Sequence, residues 1–101
     1  MNLNGYVDEL GQARISVTIR GFRSAIRLDV AIDTAFSGDI CLPIHLATQL
    51  GLELITTQHF ELADGAIKEE LVFLGFVTLS EEKPAAIVLT DSPDALLGVG
   101  L

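Results

Sequence analysis

The chain has 101 residues, half of them hydrophobic and few aromatic, which suits a single domain spanning residues 1–101 and excludes a disordered polymer. Fourteen acidic against six basic side chains leave a net charge of −8, a balance that repels nucleic-acid phosphates and anionic lipid heads, so neither is an expected partner. No apolar run reaches the roughly 18 residues that span a bilayer, the start MNLNGYVDEL has no basic or long apolar part of a signal peptide, and Cys41 is the lone cysteine; a cytoplasmic protein is expected.

From Gln12 to Arg20 apolar residues alternate with polar ones, Ala13, Ile15, Val17 and Ile19 facing one way, which predicts a half-buried strand. Gly21 to Ser24 reads as a turn, and the alternation resumes from Ile26 to Ile32, so the two segments form an antiparallel hairpin that ends at Asp33. After the apolar patch Ile40 to Leu42, Pro43 opens and Gly51 closes a short amphipathic helix, the only one expected.

β-Branched and aromatic residues return at Glu53, and Asp64-Gly65 between Phe60-Glu61-Leu62 and Ile67 predicts a second hairpin with a solvated, mobile tip. Leu71 to Leu79 is apolar on both faces and is expected to be buried or at an interface. Ser80 to Pro84 reads as a charged turn, Ala85 to Leu89 as a buried strand and Thr90 to Asp94 as a loop. The apolar run Ala95 to Leu101 is expected to pack inside.

The chain is organised around Leu28 to Pro43, LDVAIDTAFSGDICLP, in which an apolar strand delivers Asp33 into a loop of small and hydroxyl-bearing residues. Placing a carboxylate there costs several kcal/mol unless it is paired, hydrogen-bonded or protonated. Taken alone, Asp33 also suits the plain role of an acid capping a turn.

Asp33-Thr34-Ala35-Phe36-Ser37-Gly38, Leu42-Pro43, the helix over Leu46 to Leu52, Asp64-Gly65 and Leu96-Leu97-Gly98 come in an order that resembles retropepsin-type aspartic proteases, closely so the small bacterial and archaeal clan AA members. The resemblance covers most of the chain. It implies an all-β, retropepsin-like acid-protease barrel with one short helix, one lobe per chain. It further implies an aspartic endopeptidase that needs no metal or organic cofactor, acts on peptide or protein substrates and works as a homodimer, since each chain supplies a single Asp33 and the Asp91-Ser92 pair before Pro93 is a poor internal partner. Asp33 would be the catalytic acid. Thr34 would tie the two loops across the dimer axis, Asp64 and Gly65 would form a flap over the substrate, and Leu96 and Leu97 would pack beneath the active loop with Gly98 allowing close backbone approach.

Two positions depart from the family pattern. Ala35 replaces a glycine, so its methyl is expected to crowd the loop or the substrate, and the sequence stops at Leu101 where family members commonly continue with an element of the dimer interface. The competing expectation is a catalytically inactive module of the same fold for dimerisation or peptide binding; a third is a purely structural β-domain. Cys41 reads as a small core residue. Cys41, His45 and His59 have no recognised zinc spacing, and the Lys68-Glu69-Glu70 and Glu81-Glu82-Lys83 clusters read as solvated turns or edges.

Overall fold

The computed structural model describes residues 5–61 and 63–100; Leu62, at the hairpin, and Leu101, at the end of the apolar run, lie outside the described residues. Eight strands and one helix follow in the order β1 (Gly5–Val7), β2 (Ala13–Arg20), β3 (Ala25–Ile32), β4 (Ile40–Pro43), α1 (Ile44–Leu50), β5 (Glu53–Glu61), β6 (Ile67–Thr78), β7 (Glu82–Thr90) and β8 (Leu96–Leu97). The alternation in β2 becomes burial of Ile15, Val17 and Ile19, and the register Val17↔Leu28 with Ile19↔Ile26 pairs it antiparallel with β3 through the turn closed by Gly21 N–H donating to Ser24 O at 2.9 Å.

All strands belong to one mixed sheet in the order β1-β2-β3-β8-β4-β7-β6-β5. Most neighbours are antiparallel, but β3 runs parallel to β8 and β4 parallel to β7. This arrangement corrects the expected barrel. β1 pairs only with β2 and β5 only with β6 among the described residues, so the sheet keeps two edges, and it bends far enough for β2 to meet β6 through just three further residue pairs. The short central strands β4 and β8 come from segments that read in sequence as an apolar patch and an apolar tail; their pairing is non-local.

The core is a cluster of aliphatic residues from β2, β3, β4, α1, β6, β7 and β8, with Ile19, Ile40, Leu42, Leu50 and Ile87 fully enclosed. Each such side chain is worth about 1.5–3 kcal/mol when removed from water. No polar or charged side chain is among the buried ones described. Pro43 stands at the N-cap of α1, and Gly51 ends the helix in a left-handed conformation, φ 70°, donating its N–H to Ala47 O. The run Leu71 to Leu79 is buried less completely than its composition suggests: Val72 and Val77 are enclosed, whereas Leu71 is 45% exposed. The strand of the charged turn also begins early, at Glu82. No helix among the described residues is long and apolar enough to cross a membrane.

Candidate functional site

β3 ends at Ile32, and Asp33 opens a turn whose backbone is closed by Phe36 N–H donating to Asp33 O at 3.1 Å. The half-buried Asp33 accepts the Ala35 N–H on Oδ1 at 3.0 Å, a local bond of the kind that makes Asp a turn former. Its other carboxylate oxygen takes no hydrogen bond among the described residues, and no ion pair engages it. Thr34 is exposed and its hydroxyl makes no bond among the described residues. Ala35 is also exposed, and no non-glycine residue described has a positive φ, so the methyl that sequence reasoning expected to crowd this loop sits in open, unstrained backbone.

The loop is held from below by the end of the chain. Asp33 donates its N–H to Leu97 O at 3.0 Å, continuing the parallel β3–β8 pairing in which Ala31 faces Leu96 and Ile32 faces Leu97. Gly98 donates to Asp39 O at 2.8 Å, and Val99 and Gly100 donate to Phe36 O and Gly38 O, each at 3.0 Å. A Cβ on Gly98 would fall 2.2 Å from Gly38 O and 2.6 Å from the Phe36 ring, so glycine is needed for this approach. Leu97 is buried, while Val99 is 62% exposed, so the C-terminal apolar run packs inside only in part.

Asp39, which drew no attention in the sequence, is a second structural anchor. Its Oδ2 accepts the Ala86 N–H at 2.9 Å and its carbonyl accepts Gly98 N–H, so one residue ties the loop to β7 and to the tail of the chain. The available signal was a Gly-Asp step directly before an apolar triplet. The Phe36 ring lies against both Gly38 and Gly98.

A groove of about 500 Å³ runs from this loop to the β5–β6 hairpin. Phe36, Val72, Ala86 and Val88 make its apolar base, and Gln58, Lys68 and Glu70 its polar upper wall. The lining begins at Ala35 and does not include Asp33, which borders the groove by one turn of chain. Asp64 and Gly65 lie at the exposed hairpin tip, where Gly65 has φ 86° and Ala66 N–H donates to Asp64 Oδ1 at 2.9 Å; neither lines the groove. His59 and Glu69 pair at 3.1 Å across the outer face of the same hairpin. The structure therefore joins Asp33 to Leu96, Leu97 and Gly98, and sets Asp64 and Gly65 apart from them.

Cys41 is half-buried in β4, beside β7. Burial first, and the negative charge of Glu70 second, push its thiol above the usual range, against a smaller opposing hydrogen bond to Thr90. A thiol so disposed is a poor nucleophile near neutral pH. Among the described residues no three His, Cys, Asp or Glu side chains gather as a metal-binding group.

In comparison with known proteins, the chain matches no family model and no curated protein. The description as a retropepsin-like, clan AA aspartic protease is therefore not borne out: the barrel is replaced by an edged mixed sheet, and the protein-family terms resting on the motif order find no match.

Proposed function

We propose that two copies of this chain set their Asp33 side chains face to face across a two-fold axis and hydrolyse a peptide bond with water. The observation that carries the reading is Asp33 itself, an acid at a strand end with one carboxylate oxygen unengaged among the described residues, on a loop stitched to β8 and bordering a groove. Two carboxylates at close range cannot both ionise and share one proton. The ionised one takes a proton from water as its oxygen attacks the carbonyl carbon, and the protonated one gives its proton to the carbonyl oxygen. Collapse of the resulting diol breaks the C–N bond as the amine leaves with a proton, yielding one carboxyl and one amino terminus. The Thr34 hydroxyl, unengaged among the described residues, is available to bond across the axis, and the exposed β5–β6 hairpin to close over the peptide. The lone thiol of Cys41, with no partner for an internal disulfide in the sequence, suits the cytoplasm as the working compartment.

A second reading is favoured by one feature: the groove is complete without Asp33. In that reading the chain is a peptide-binding or dimerisation module with no turnover. Asp33→Asn separates the two. For the enzyme, cleavage of a broad peptide library falls by about 10²–10⁴-fold in the variant while thermal unfolding is unchanged. Equal peptide binding with no cleavage by either form would establish the module instead.

A further inference from the structure

Along one face of β6 the environment changes in steps of two residues: Lys68 is exposed, Glu70 half-buried, and Val72 buried. All three line the groove, so its wall passes from a solvated cation at the rim, through a carboxylate, to an apolar base shared with Phe36 and Val88. We propose that this groove is a subsite for a lysine or arginine side chain of a bound peptide, with Glu70 as the specificity-determining carboxylate. The inference takes the groove as the peptide-binding site of the function proposed above, and it does not depend on turnover.

The argument is one of matched chemistry. A long basic side chain carries an aliphatic stem and a charged head, and it is best received where apolar surface leads to a carboxylate part-way out of water. Val72, Val88 and Phe36 offer the first, and Glu70 the second. No ion pair or side-chain hydrogen bond engages Glu70 among the described residues, and the residue facing it across the β5–β6 ladder is the neutral Gln58. The other charges lining the groove are Asp39, whose Oδ2 accepts the Ala86 N–H, and Lys68 at the exposed rim. Two carboxylates against one solvated ammonium leave the interior negative, and the chain's net charge of −8 adds attraction for a cationic peptide at long range. A glutamate in the peptide would meet Glu70 and Asp39 and be rejected, which is how a site discriminates as much as by what it attracts.

The test uses the full chain carrying Asp33→Asn, so that no peptide is consumed. Fluorescein-labelled octapeptides of alanine and leucine, with one lysine moved through each position, are titrated by fluorescence anisotropy beside matched sets bearing norleucine or glutamate. The expected result is a position at which lysine binds about tenfold tighter than norleucine, with glutamate weakest. Glu70→Gln should erase that advantage and leave norleucine binding unchanged, which also shows the groove intact, and Glu70→Lys should turn the preference toward glutamate. Lysine and norleucine binding alike at every position, a preference for glutamate set by Lys68, a lysine advantage that survives Glu70→Gln, or no binding by any peptide would each overturn the inference. Failure of the wild-type chain to cleave, with the lysine preference kept, would instead remove only the hydrolytic reading.

Discussion

At the scale of single residues, Ala35 and Gly98 show why a motif position and its surroundings have to be weighed separately. Read along the chain, Ala35 is the suspicious substitution and Gly98 the glycine that would let the tail approach the active loop closely. In space Ala35 is exposed with ordinary backbone, whereas Gly98 is pressed against Gly38 O and the Phe36 ring. Ala35→Gly should therefore destabilise by no more than about 1 kcal/mol, chiefly by freeing the unfolded chain. Gly98→Ala should cost about 2 kcal/mol or more and displace the Asp33 loop, because the backbone it strikes cannot rotate away. Denaturant unfolding of the two variants checks the contrast, and equal costs would contradict it. Asp33 was legible as a special residue from its place after an apolar strand. Asp39 was not, because its value comes from Ala86 and Gly98, which are brought to it only by the folded chain.

Among the elements, those set by local chemistry were readable and those set by distant pairing were not. The β2–β3 hairpin, α1 and the β5–β6 hairpin follow from period-two alternation, a Pro/Gly-bounded amphipathic segment and an Asp-Gly turn, and each lies where that chemistry places it. β1 escaped notice because Gly-Tyr-Val is short and wholly exposed, and β4 and β8 because they pair in parallel with strands far along the chain. The same non-local order turned an expected barrel into a sheet with edges at β1 and β5.

One tie between elements has a measurable signature. Arg14 on β2 makes a forked pair with Asp94, at 2.8 and 3.0 Å, fastening the loop before β8. The Arg14 hydrogen bonds hold the Asp94 carboxyl below its ordinary range, against a smaller cost of burial. A lowered folded-state value means that the stabilisation is fully present above the unfolded carboxyl value of about 4 and is lost as pH falls through the folded one. With the Asp94 side chain 43% exposed, solvent screening limits the pair to about 1 kcal/mol or less. Asp94→Asn should therefore be less stable than wild type at pH 7 by about that amount, and the difference should close towards about pH 2. Denaturant melts at both pH values check this; a gap that persists in acid would place the effect in packing rather than charge.

The described fold is all-β around an aliphatic core, and it presents the loop acid Asp33, an adjoining groove and an exposed hairpin on one sheet. Among the described residues no second acid pairs with Asp33, so the hydrolytic reading requires a second copy. Sedimentation velocity, with and without a peptide whose scissile carbonyl is replaced by a hydroxyl-bearing tetrahedral carbon, tests that requirement most directly. The account predicts a dimer that the mimic tightens, with one mimic bound per two chains, and loss of the tightening in Asp33→Asn. A chain that stays monomeric at every concentration and is indifferent to the mimic would contradict it.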